Sequence, residues 1–433
     1  MARTRRAIIT VAATAAVLSV AALALVAPIE VGEPPWREEI SAAALRGLTT
    51  YSGMVSRAQL EQALAIIDPG ELLRPYLDID DTAVALLAAP GSAERLVEIR
   101  LAPESVDRTR QARPLAGLRV VVDPGHFGGR WSEVESRHVQ LDDGPPIREG
   151  TLTWGVGRLL ADRLRAAGAE VEVTRGPPPG SGFPSDLNRR FDPSLEARFV
   201  LAEHLLDSPA NRWFRSYPSI LAKLGLELRQ RGIVEEGLYP LYSRFDLRRR
   251  SAVAASSKAE VTVSLHFNMS GVPADNWLIA FIPGNVMPRE LDTVSQRYYA
   301  LRRAVDGTLP DTIDLGKEVM RSMHARLDVD IVDYVEHPRA PWPKKRVVDA
   351  DLGVYARNLA ILRRTPGPVV LVEGPCLNFS AEYERMQRGG LMIDGIEYPR
   401  RIEGYANAVF DALRRWAERP TNSGPVGKKA NIR

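Results

Sequence analysis

Four side chains, spread over most of the chain, have the types needed for metal-assisted hydrolysis. His126 follows an apolar run in Val120-Val121-Val122-Asp123-Pro124-Gly125-His126. Glu149 stands just before a helical pattern, His266 ends the apolar run 261–265, and Glu373 follows Val369-Val370-Leu371-Val372. Two imidazoles and one carboxylate are a recurrent ligand set for catalytic zinc, which keeps a fourth position for water. That open position matters because such a metal lowers the pKa of water and polarises a carbonyl. Glu373 is suited to act as general base toward the water and then as general acid to a leaving amine. Arg148, beside Glu149, can orient a ligand or carry substrate charge, and Asn268 and Asn378 are hydrogen-bond donors near the same strand ends. Each residue alone also has a plain structural reading. A Glu at a helix start complements the helix dipole, and the intervals of 23, 117 and 107 residues form no compact local motif. Residue types alone therefore give a hypothesis of convergence and nothing firmer.

Convergence requires elements that carry these residues to one place. Residues 118–123 form an apolar run of strand length stopped by Pro124-Gly125, and further strands are expected at 171–174, 261–266 and 369–372. Helical periodicity runs over 152–167, 247–257, 313–327 and 402–415. Strands alternating with helices predict an α/β fold, a mainly parallel but mixed sheet flanked by helices on both faces. In such sheets functional residues gather where strands end. Two long excursions interrupt the alternation. One covers 176–245 and the other 270–311, with a strand-like stretch at 277–282 and a helix at 293–305. Both are expected to be lids, binding elements or family-specific additions.

Ahead of this body, 30–113 is expected to be a small α+β region of unknown role. Residues 37–75 look helical, with a capping box at Ser56-Arg57-Ala58-Gln59, and 96–101 reads as a short strand. The first 29 residues have another character. Arg3, Arg5 and Arg6 precede an uncharged apolar run from Ala7 to Ile29 with small residues near its end, the layout of an export signal. The run is also long enough for an uncleaved membrane anchor, the only contact with a membrane that the sequence offers. Either way the protein is expected in the periplasm or cell envelope. The tail 419–433, rich in Pro, Gly, Asn and Lys, reads as disordered.

Composition narrows the function classes. With 433 residues and 45% apolar side chains the chain can bury a sizeable core. Setting aside the three leading arginines leaves 54 basic and 54 acidic residues, so charge gives no case for a nucleic-acid partner. The single cysteine, Cys376, excludes an internal disulfide framework. As a nucleophile Cys376 is the weaker reading, because buried free cysteines are common and nothing nearby clearly lowers its pKa.

The residues flanking the four candidates occur as ordered blocks that resemble the zinc-dependent N-acetylmuramoyl-L-alanine amidases. The blocks are 120–126, then Arg148-Glu149-Gly150-Thr151-Leu152 through Thr174-Arg175, then Leu247-Arg248-Arg249-Arg250 with Ser264-Leu265-His266-Phe267-Asn268, and last Val354-Tyr355-Ala356-Arg357 with 369–374. They cover most of 115–418. The resemblance implies one Zn2+ per chain held by His126, Glu149 and His266, with Glu373 acting on the water. It implies peptidoglycan as partner, with cleavage of the amide between N-acetylmuramic acid and L-Ala of the stem peptide. It also implies that an inserted helix, in either excursion, could cover the cleft until an activator protein displaces it. Two departures stand out. The interval from His126 to Glu149 is long and holds Trp131, His138, Asp142 and Asp143, so an extra ligand there is conceivable; and Gly374-Pro375-Cys376 replaces the family's usual aromatic after the glycine. Two other functions fit the same residues: a zinc amide hydrolase acting on another envelope peptide, and a non-catalytic peptidoglycan-binding or regulatory protein on the same scaffold.

Overall fold

The apolar runs pair into one sheet because each is hydrophobic on both faces and must be covered on both. A computed structural model describes residues 40–107, 110–126, 128, 132, 136–176, 246–247, 250–271, 275–332 and 347–420. Residues 1–29, expected to be an export segment, nearly all of the excursion 176–245, Trp131 and the tail 421–433 lie outside the described residues. No helix among the described residues is long and apolar enough to cross a membrane.

The described chain begins with α1 (Ala42–Gly47) and α2 (Arg57–Ile67), then an antiparallel meander of β1 (Leu77–Ile79), β2 (Ala83–Leu87) and β3 (Arg95–Arg100). The α/β body follows with β4 (Arg119–Pro124), a short ribbon of β5 (His138–Val139) and β6 (Ile147–Arg148), α3 (Glu149–Ala166) and β7 (Glu170–Val173). Next come β8 (Val261–Asn268), β9 (Trp277–Pro283), α4 (Val294–Val305), α5 (Leu309–Leu327), β10 (Asp330–Ile331), β11 (Val347–Asp349) and β12 (Val354–Arg357). The end is built from α6 (Ala360–Arg364), β13 (Val369–Cys376), α7 (Ser380–Gln387), the hairpin β14 (Gly390–Ile393) and β15 (Ile396–Pro399), and α8 (Arg401–Glu418).

The main sheet has eight strands in the order β11-β12-β9-β13-β8-β4-β7, with β10 beside β9. Strands β7, β4, β8 and β13 are parallel, whereas β9 runs antiparallel to β13. The sheet is therefore mixed, as its sequence pattern predicts. Val122, Val263, Leu265, Val370, Val372 and Ala280 join the large core formed with α3, α5 and α8. Val369, Leu371, Ile279 and Phe281 line the opposite face, packed with Ile361 and Leu362 of α6.

The excursion expected at 270–311 is not peripheral. All seven residues of β9 are buried, and the strand lies between β12 and β13. It could not swing away from the site as a lid without opening the sheet. The helical expectation for 37–75 also needs correction. The chain leaves α1 through a turn at Gly53, which has φ of 74°, and starts again at Ser56. There the Ser56 hydroxyl accepts from the Gln59 N–H and the Gln59 side chain accepts from the Ser56 N–H, the reciprocal box that the sequence predicts. The region 40–102 does not stand apart: it shares the large core, and the carbonyls of Ile66 and Ile67 accept from the N–H groups of Asn285 and Val286 at 2.9 Å each.

Candidate metal centre

The site forms where β4, β8 and β13 end side by side. The residue after a strand must turn, and His126 does so with φ of 56°, a left-handed conformation uncommon outside glycine. The turn is held by guanidinium groups on its carbonyls. Arg250 donates to the carbonyls of Pro124 at 2.6 Å and His126 at 2.7 Å. Arg175 donates to those of Pro124 at 2.8 Å and Gly125 at 3.2 Å, and also to that of Gly150 in α3. Thr153 adds a hydroxyl to the Gly125 carbonyl at 2.6 Å. Three successive carbonyls that would otherwise lack partners are thereby satisfied in a buried setting.

Both arginines are buried and close enough to repel. Burial first, and then Arg250, lower the Arg175 guanidinium to about 9. Asp123 balances part of that charge. It accepts from Thr174 at 2.5 Å, Ser264 at 2.6 Å and Arg250 at 3.3 Å. Burial pushes its carboxyl up, but Arg250 and the two hydroxyls outweigh this and hold it below the usual range.

Glu149 is the first residue of α3, which starts three residues before the periodic pattern, and it is 2% exposed. One carboxylate oxygen, Oε1, lies 3.4 Å from His126 Nε2, 3.2 Å from His266 Nδ1 and 3.0 Å from the Phe267 N–H. The two imidazoles meet edge to face at 4.8 Å between centroids. Ligand atoms of all three residues fall within 4.8 Å of one another. Donors on a tetrahedral zinc at about 2.0–2.1 Å stand roughly 3.3 Å apart, so the separations to Glu149 have the right scale. The ionisation states fit too. Burial lowers His126 to about 3, so its ring is neutral and can ligate. Burial alone would raise Glu149, but His126 and His266 bring it below the usual range. His266 is raised: burial opposes, but Glu149 and then Glu373 favour its charged form. This trio can hold a metal ion.

Glu373 sits on β13 in register with His266 on the parallel neighbour β8. Residues paired in this way project from the same face, with strands about 4.8 Å apart. Burial raises Glu373 to about 7, with Glu149 adding to the rise and His266 opposing it. Tyr405 of α8 fixes this level of the sheet, its hydroxyl lying 2.9 Å from the carbonyls of both His266 and Val372. Its ring leaves no room for a side chain at 374, where a Cβ would come within 2.7 Å. The unusual Pro375 falls at a shift of register between Gly374 and Cys376, a place where a residue without an N–H is tolerated.

The other candidates fall around this centre in different ways. Arg148 precedes Glu149 at the end of β6. Asn268 closes β8; its carbonyl accepts from Leu377, its Oδ1 from Met269, and among the described residues its buried Nδ2 has no partner. Asn378 has both amide atoms engaged with the Ser270 backbone, at 2.9 and 2.6 Å, so it ties two loops together. His138 lies in β5, outside the cluster of metal-competent side chains. Cys376 is fully buried, and burial pushes its thiol up to about 12, which suits packing and not nucleophilic attack. The buried arginines 175 and 250 and Asp123 carry the greatest positioning role that residue types alone did not reveal.

No family model matches the sequence. A curated relative, the urease accessory protein UreE of Burkholderia lata, is 31% identical over 146 residues, which is 33% of this chain and 62% of that protein. The chain thus spans less than two thirds of that relative. Solved structures similar to the chain include the N-acetylmuramoyl-L-alanine amidase AmiC2 of Nostoc punctiforme, at 14% identity and a TM-score of 0.37, covering 70% of this chain and 99% of that one. Another is the amidase Ami1 of Mycobacterium smegmatis, at 15% identity and 0.37, with 70% and 99% covered. A third is the CwlD amidase of Clostridioides difficile in complex with the GerS lipoprotein, at 14% identity and 0.36, with 69% and 98% covered.

Proposed function

We propose that this protein is a zinc-dependent amidase that hydrolyses the bond between N-acetylmuramic acid and L-Ala in peptidoglycan. The observation that carries the proposal is the meeting of His126, Glu149 and His266 at one group of strand ends, with Glu373 in register beside His266. The order of the four sequence blocks supplies the choice of substrate.

In this reading His126, Glu149 and His266 hold the ion. A bound zinc supplies Lewis acidity toward the carbonyl and toward water. Glu373 takes the proton of the attacking water and passes it to the departing amine of L-Ala, and its raised affinity suits both halves of that task. Arg175, Arg250 and Asp123 keep the His126 turn in place throughout, and Tyr405 keeps β8 and β13 level. In this reading Asn268, at the end of β8, and Arg148, beside Glu149, are substrate contacts. The substrate lies outside the cytoplasmic membrane, so residues 1–29 act in this reading as the export segment.

Digestion of purified sacculi tests the proposal. The expected products are intact stem peptides with a free N-terminal L-Ala and one zinc per chain in the active protein. Glu373→Gln should keep the metal and lose roughly 10²–10⁴-fold in rate. Cleavage within the stem would instead favour a hydrolase of another envelope peptide. Peptidoglycan binding without zinc or turnover would favour a non-catalytic scaffold.

A further inference from the structure

Arg137 stands apart from the other arginines near the site. Arg175 and Arg250 are buried and satisfied by carbonyls. Arg137 is exposed, and among the described residues its guanidinium has no hydrogen-bond or ion-pair partner. Its position in the ribbon is nonetheless fixed. His138 pairs with Arg148 and Val139 with Ile147, antiparallel. Continuing that register by one residue sets Arg137 opposite Glu149, and the Glu149 N–H donates to the Arg137 carbonyl at 3.0 Å. The Arg137 N–H in turn donates to the Ser132 carbonyl at 2.6 Å. Residues facing each other across antiparallel strands project to the same side. The Arg137 side chain therefore leaves the ribbon on the side toward which Glu149 reaches for the two histidines, but stays in solvent. Its charge is among those that act on both His126 and Glu373, so its field covers the place where the bond would be cut.

An exposed guanidinium with no partner among the described residues, beside the metal-competent cluster, is suited to a carboxylate. In the proposed substrate the lactyl carboxyl of the sugar is consumed in the amide, so nearby carboxylates belong to the peptide. The geometry points to Arg137 as a specificity-determining residue that binds a free carboxylate on the leaving peptide, close to L-Ala. This inference rests on the amidase reading given above and narrows its substrate class to acidic stem peptides.

A pair of muramoyl dipeptides tests it, identical except for a carboxylate or a carboxamide on the residue after L-Ala. The wild-type protein should favour the carboxylate by roughly 3- to 5-fold in kcat/KM, the upper end for a solvent-exposed ion pair, expressed mainly in KM. Arg137→Gln should bring the two substrates within about two-fold of each other, and Arg137→Lys should restore part of the preference. Added salt should erode the wild-type preference. A preference that survives in Arg137→Gln, or no preference in the wild type while both substrates are cut, overturns the inference and leaves the amidase reading standing. Hydrolysis of neither dipeptide, nor of sacculi, removes both.

Discussion

Gly125 offers a sharp test of how the site is built. A Cβ placed there would lie 2.4 Å from Cε1, 2.5 Å from Nε2 and 2.6 Å from Nδ1 of His266, where ordinary contact begins at 3.4 Å. Gly125→Ala therefore requires the imidazole to retreat by about 1 Å, and close-packed interiors resist such a shift. The backbone of His266 cannot follow easily, because β8 is paired on both sides and Tyr405 bonds the His266 carbonyl at 2.9 Å. The ring must instead turn away from Glu149, which it meets at 3.2 Å. Gly125 has no positive φ, so the penalty is steric and does not come from the backbone. Disturbing the orientation of a ligand costs about 10–100-fold in metal affinity, and overpacking costs about 1–3 kcal/mol of stability. Zinc affinity measured by competition with a chromophoric chelator, together with thermal unfolding, reads both effects. Gly271→Ala is the control, since its Cβ would meet nothing within 4 Å. Zinc affinity within two-fold of wild type and an unchanged melting temperature in Gly125→Ala would refute the claim that this contact sets the ring.

Two further outcomes follow from the ionisation of the site. Without metal, Glu373 keeps its proton up to about 7, and Glu149 and Glu373 raise the proton affinity of His266, so a +2 charge expels protons from this pair. Zinc binding near pH 6.5 should release protons and tighten as the pH rises; calorimetry in buffers of different ionisation enthalpy measures the count, which should fall in Glu373→Gln. Asp123→Asn removes one of the anionic partners of buried Arg250, which also pairs with Asp246, and should destabilise the fold by about 3 kcal/mol. The sign for acid is set by Asp123 itself. Its carboxyl is depressed in the folded state, so its contribution is present above the unfolded value near 3.9 and is lost as the pH falls through the folded one. Urea titrations of both proteins from pH 7 downward should therefore converge in acid, and parallel curves would contradict the network.

The sequence is most informative where local chemistry and tertiary structure agree. The run before Asp123-Pro124-Gly125 had to be a buried strand, and Ser56 with Gln59 had to cap a helix; both do so. The start of α3 is hidden, because Glu149, Gly150 and Thr151 lack the apolar spacing that marks the rest of the helix. β9 was legible as a strand, but its place was not. An apolar run reports burial and says nothing of which neighbours cover it, so by pattern alone this central strand reads as part of an excursion. Arg175 and Arg250 show a second limit. Arginine is usually a surface residue, and only the convergence of three strand-end carbonyls makes burial of two of them favourable. Asn378 shows the reverse case, since an amide near the cleft spends both of its atoms on the Ser270 backbone.

The docking of Ile66 and Ile67 onto Asn285 and Val286 has a temporal consequence. The helix that ends at Ile67 emerges from the ribosome long before the segment that will receive its carbonyls. Until then Leu60, Leu64 and Ile67 have no α4 to pack against, and the early-made meander must wait, partly wet, for a late partner. Trimming the chain at residue 113 would reverse the problem and strip a cover from α4, so the amino-terminal region travels with the α/β body as part of one folding unit.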